Sequence, residues 1–144
     1  MKMPTSRHWT TVVALLGGAM LSASTAHAAG DITAGHDLFL ARCSACHDLH
    51  PTRKPGPLLS GVYGRPAGSV PGYHYSAALK NASIVWNANT LDRWLSGPPA
   101  YIPGVNMQAQ VDSARDRLNI IAYLRSLGSA TAANTGGTAS VVAK

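Results

Sequence analysis

The stretch Cys43-Ser44-Ala45-Cys46-His47-Asp48-Leu49-His50 decides how the rest of the chain is read. It holds both cysteines of the 144-residue chain and two of its six histidines within eight residues. Three chemistries can use such a cluster. A Cys-x-x-Cys pair can be a disulfide or redox dithiol, but in thioredoxin-like folds it sits beside a βαβ unit, and this sequence has no strand pattern to supply one. Cys43, Cys46, His47 and His50 are zinc-ligand types. The loop that separates ligand pairs in zinc sites is missing, however, so one short segment would have to wrap the ion alone. The third chemistry is covalent haem. Residues i and i+3 of a helix share a face, so both sulfurs can add to the two vinyl groups of one porphyrin edge, and His47 can then turn its imidazole to the iron. Cys-x-x-Cys-His is the attachment signature of c-type haem, and this reading fits best.

The N-terminus supports it. Residues 1–28 begin with the basic Lys2 and Arg7, continue through the apolar run Val12 to Leu21, and end on the small-x-small site Ala26-His27-Ala28. That is the pattern of a secretory signal peptide cleaved after Ala28. The run is well short of the roughly 20 apolar residues that span a bilayer, so the mature chain is expected to be exported, soluble and without a membrane span. Covalent haem attachment occurs outside the bacterial cytoplasm, which makes the periplasm the expected location. Lys2 and Arg7 leave with the signal, so the twelve basic residues become ten against six acids, all Asp, a net charge of +4. A surplus this small, with no basic run, gives no case for nucleic acid. It suits a mild preference for acidic partner surfaces.

Between these features the chain reads as all-α with long loops. Asp31 is placed to cap a helix running to Arg42. Gly35, Phe39 and Cys43 fall on one face of that helix. A glycine inside a helix costs about 1 kcal/mol against alanine, so Gly35 is expected to mark a close helix crossing. Residues 48–72, with five prolines and five glycines, read as loop. A loop that long needs something to organise it. Tyr75 to Asn81 and Thr90 to Ser96 read as short helices, the second with Leu91, Trp94 and Leu95 on one side and stopped by Gly97-Pro98-Pro99. The last helix starts at Ser113 as N-cap, carries a stripe of Leu118, Ile121 and Leu124 joined by Ile120 and Leu127, and ends with Gly128 at its C′ position. Residues 29–127 form the domain. Residues 128–144 are Ala, Gly, Ser and Thr with few apolar residues and read as a disordered tail.

A haem iron takes a sixth ligand. After cleavage one methionine remains, Met107, since Met1, Met3 and Met20 lie in the signal. A lone methionine is usually core filler. Met107 instead follows the turn Tyr101-Ile-Pro-Gly-Val-Asn, where a side chain can be aimed, and it is the favoured ligand, with His74 in reserve. Methionine raises the reduction potential of a haem relative to a second histidine.

The sequence resembles the class I cytochromes c of the mitochondrial and alphaproteobacterial c2 type from Gly30 to Leu127. The resemblance is carried, in family order, by GHDLFLARCSACH, GPLLSGVYGRPAG, PGYHYSAALKN, IVWNANTLDRWL, YIPGVNM and NIIAYL. It implies an all-α fold whose N- and C-terminal helices cross, wrapped around one covalent haem c. Cys43 and Cys46 would form the thioethers, and His47 and Met107 would be the axial ligands. The Pro57 carbonyl would accept the other imidazole N–H. Arg65, Tyr75, Ser76 and Trp86 match the residues around the haem propionates, whose burial needs polar partners. Trp94 stands where the family has a tyrosine beside the methionine, and Leu79 where mitochondrial members have asparagine. Pro99, Ala100 and Asn106 replace lysines that guide docking.

The function this implies is a periplasmic, monomeric, one-electron carrier between redox protein partners, not an enzyme. The rival is the cytochrome subunit of a periplasmic dehydrogenase acting on a sulfur compound or an alcohol. A gas-binding or peroxidatic protein would require Met107 to be off the iron.

Overall fold

The structure is a computed structural model and describes residues 29–135. The signal-peptide reading and the chain beyond Thr135 lie outside the described residues. Five helices follow in order: α1 (Ile32–Arg42), α2 (Ala77–Lys80), α3 (Ala88–Ser96), α4 (Pro98–Tyr101) and α5 (Ala114–Thr135). No strand occurs among the described residues. One isolated antiparallel bridge joins Pro66 to Val85.

Local chemistry sets most of the helix starts. The Asp31 carboxylate accepts from the N–H groups of Thr33 and Ala34 and caps α1. Asn87 and Thr90 form a reciprocal capping box at the start of α3, so that helix begins two residues before the expected Thr90. Ser113 accepts from the Asp116 N–H and opens α5. Pro98 does end α3, as expected. It also begins a further helical turn, α4, because its fixed φ suits the first helical position.

The end of α5 corrects the sequence reading. The helix does not stop at Gly128 but runs on to Thr135, so the segment read as a disordered tail is helical over its first residues. Gly128 costs about 1 kcal/mol, but Ala130, Ala132 and Ala133 follow within the same helix and are the best helix formers.

α1 crosses α5 at the expected glycine. A Cβ on Gly35 would overlap the backbone carbonyl of Asn119 and lie 2.9 Å from the Tyr123 Cβ. The Asn119 side chain in turn accepts from the Asp31 N–H at 2.9 Å. Phe39 and Tyr123 pack with ring centroids 5.5 Å apart. Phe39, Ile120, Ile121 and Leu124 are buried, each worth about 1.5–3 kcal/mol on removal from water. Leu118, expected in the apolar stripe, is 42% exposed. The expected Ile120, Ile121 and Leu124 are buried, and Tyr123 joins them, a face wide enough to meet both α1 and the interior.

The loop over 48–72 is fastened at both ends. The Gly56 N–H donates to the Cys46 carbonyl and the Leu59 N–H to that of Asp48. Further on, the Gly64 and Ala67 N–H groups donate to the carbonyls of Trp86 and Ile84, and the Trp86 N–H donates to that of Arg65, on either side of the bridge.

Candidate functional site

One apolar cavity, enclosing about 910 Å³ with its open mouth, occupies the centre of this fold. Every helix-flanking segment contributes to it. The turn after α1 brings Cys43 and His47, and the long loop brings Pro57, Leu59, Val62 and Arg65. The stretch around α2 adds Tyr75, Ser76 and Leu79. α3 supplies Leu91, Trp94 and Leu95, the loop before α5 supplies Met107, and α5 supplies Ile120 and Leu124.

α1 ends at Arg42, so the Cys-x-x-Cys-His segment is a turn and not more helix. It keeps helix-like spacing all the same. The Cys46 and His47 N–H groups both donate to the Cys43 carbonyl, at 3.1 and 2.8 Å. Cys43 is half-buried on the cavity, and burial pushes its thiol pKa up, partly offset by Arg42. Cys46 is exposed and does not contribute to the cavity lining. No disulfide joins them. Among the described residues no three His, Cys, Asp or Glu side chains converge as metal ligands, which leaves the zinc reading without a ligand set.

The His47 ring is held tightly. Its Nδ1 lies 2.8 Å from the Pro57 carbonyl oxygen, which can only accept, so Nδ1 carries the proton. The lone pair is then on Nε2, the nitrogen free to ligate. Burial lowers the pKa of His47, the Pro57 bond opposes this, and the charge of Lys54 adds to it. The imidazole is therefore neutral at neutral pH, the form that binds metal. Two residues that sequence reasoning missed complete this hold. A Cβ on Gly56 would stand 2.6 Å from His47 Nδ1, so glycine is required there. Lys54 Nζ donates to the carbonyls of Ser44 and His47, at 2.6 and 3.2 Å, and pairs with Asp48 at 3.3 Å. Lys54 is close to the motif in sequence, and Gly56 opens the block GPLLSGVYGRPAG, but neither feature assigns a role by itself.

The polar end of the cavity gathers Arg65, Tyr75 and Ser76. Arg65 is half-buried and donates to the carbonyls of Leu58 and Ser60, at 2.7 and 2.9 Å. Two of its five donors are used there, leaving three for an anion. Burial lowers its pKa, but a guanidinium stays charged. The Tyr75 hydroxyl accepts from the Val70 N–H at 3.3 Å, and burial raises its pKa. Ser76 Oγ caps α2 by accepting from Leu79, and its hydroxyl proton remains to be donated. Trp86 and Trp94 are buried, their rings 5.3 Å apart. His74, the reserve ligand, also lines the cavity but is exposed.

This donor set suits a haem. An apolar slot faces a neutral imidazole and a thioether, and a guanidinium with spare donors stands where carboxylates would need partners.

The sequence profile of the cytochrome c family matches residues 32–128. The chain is 40% identical over 115 residues to cytochrome c2 of Rhodomicrobium vannielii, covering 78% of this chain and 91% of that one. It is 46% identical over 100 residues to cytochrome c of Euglena viridis, covering 68% of this chain and 98% of the other. Among solved structures, cytochrome cH from Methylobacterium extorquens aligns with a TM-score of 0.64 at 36% identity, over 67% of this chain and 99% of its own.

Proposed function

The chain belongs to the cytochrome c family, and from that premise we propose that it is an exported, periplasmic carrier whose haem is held by Cys43 and Cys46 and ligated by His47 and Met107. As a class I monohaem cytochrome it carries one covalently bound haem c and transfers electrons with redox partners. The observation that carries the ligand assignment is that His47 and Met107 line the same apolar cavity, with His47 Nδ1 already committed to Pro57.

The haem supplies a reversible one-electron iron couple. The residues of this chain orient it, exclude water and set its electrostatics. Pro57 and Gly56 fix the plane of His47. Leu59, Leu91, Leu95, Ile120 and Leu124 keep the site apolar. Arg65, Tyr75 and Ser76 are placed to receive the two propionates. With His47 and Met107 as its protein ligands, the iron would offer no position to a substrate, which supports a carrier rather than an enzyme.

Export depends on residues 1–28, with cleavage after Ala28. Among the described residues no helix is long and apolar enough to cross a membrane. The proposal is tested by an optical redox titration of the exported protein. One haem per chain and a single one-electron Nernst curve support it. A second redox centre, or tight co-purification with a catalytic subunit, would favour the dehydrogenase-subunit reading.

A further inference from the structure

The loop that carries Met107 is held to the fold at few points. From Pro103 to Asp112 there is no helix among the described residues, and one backbone hydrogen bond of this stretch reaches the rest of the fold: Val111 N–H to the Leu95 carbonyl, at 2.7 Å. The side chains of Gln108 and Gln110 bond only within the loop, to Val105 and Asp112. Val105 and Val111 are buried in the core, and beyond that packing the position of Met107 depends on what fixes the loop's exit.

Arg117 of α5 does so. Its Nη1 donates to the carbonyls of Val111 and Asp112, at 2.9 and 2.8 Å, and its Nε donates to Asp92 Oδ1 of α3 at 2.7 Å. The guanidinium is nearly buried, with 12% of its side chain exposed. One side chain thus ties the end of the methionine loop to α3 and α5 together. α3 and α5 in turn place Trp94 and Ile120 on the wall that Met107 shares. The fork geometry of arginine allows this, whereas the single ammonium of lysine cannot reach three acceptors in the same directions.

We propose that Arg117 is a positioning residue for Met107, holding the thioether at the iron through Val111 and Asp112. The inference rests on Met107 being the axial ligand. Weakening the clamp raises the fraction of molecules with the loop displaced. An external ligand binds only that fraction, so its apparent affinity rises by the same factor.

The test uses oxidised holoprotein and imidazole as the probe, with the sulfur-to-iron charge-transfer band recorded alongside. Arg117→Lys and Asp92→Ala are expected to bind imidazole about tenfold more tightly, the factor that loss of one charge-assisted hydrogen bond supplies, and to lose band intensity. Asn119→Ala is the control: it loosens the α1–α5 crossing, and it should lower the melting temperature without changing imidazole affinity. If all three variants tighten imidazole binding in proportion to their loss of stability, Arg117 is only structural and the inference is overturned. It is overturned alone if the wild type has the band and both Arg117→Lys and Asp92→Ala match it. A wild type without the band overturns the Met107 assignment, and the inference falls with it.

Discussion

The Pro57 carbonyl and His47 Nδ1 lie 2.8 Å apart, and the residue before Pro57 is a glycine that leaves no space for a Cβ beside the same ring. Such a hydrogen bond fixes the imidazole and raises its basicity as a ligand. Gly56→Ala should push the ring away from Pro57. The expected result is a loss of about 1–3 kcal/mol of holoprotein stability, the usual cost of overpacking, with a raised reduction potential because a less basic ligand favours the oxidised iron less. Denaturant melts and a redox titration check both parts. Wild-type values in each would contradict the account of this contact.

At the helix crossing, Gly35→Ala places a methyl group against the carbonyl of Asn119. Backbone cannot swing aside as a flexible side chain can, so α1 and α5 must separate. The expected cost is again about 1–3 kcal/mol, read as a lower denaturation midpoint with an unchanged haem spectrum. An increase in stability, as expected for an exposed helix glycine, would show that the crossing is looser than described.

Cys43→Ser or Cys46→Ser should give little holoprotein after export. Without haem the central cavity has no filling, and the 48–72 loop loses the surface on which Leu59 and Val62 pack. The haem-free chain should therefore lack cooperative helical melting by circular dichroism. A compact, helical, haem-free domain would refute the second half of this expectation.

Pro99, Ala100 and Asn106 stand where relatives in the resemblance carry lysines, and Arg93 lies over the Tyr101 ring, 4.5 Å from its centroid, beside the same loop. With fewer free cations around the docking face, the reaction with a mitochondrial-type oxidase should fall less steeply with ionic strength than that of a lysine-ringed cytochrome. Stopped-flow rates over a salt series measure the slope. Equal slopes would mean that other charges have taken over the steering.

Features with local causes were legible in the sequence. The Asp31 and Ser113 caps and the Leu91-Trp94-Leu95 face of α3 follow from residues within one or two turns, and Gly35 was marked by the local cost of a glycine inside a helix. The gathering of His47, Met107, Arg65, Tyr75, Ser76, Trp86 and Trp94 around one cavity was reachable through the family resemblance, because the loops that bring them together have no periodicity of their own. What escaped notice depends on distant partners. Leu118 and Ile121 are indistinguishable by spacing, and only the position of α1 and the cavity decides which faces inward. Gly128 looked like a helix end because its cost is local, while the alanines that outweigh it lay in a segment judged by composition. Gly56, Lys54 and Arg117 have roles set by groups between five and 25 residues away.

The central claim is that Met107 holds the sixth position of the iron, and the optical spectrum of the exported protein tests it most directly. The thioether favours the reduced metal, so Met107→Ala should lower the potential, open the iron to external ligands and permit peroxidase activity. In the wild type the account predicts a sulfur-to-iron charge-transfer band in the oxidised form and no ready binding of carbon monoxide in the reduced form. A wild type that lacks the band and binds carbon monoxide readily would contradict it, and the gas-binding or peroxidatic reading would take the place of the electron carrier.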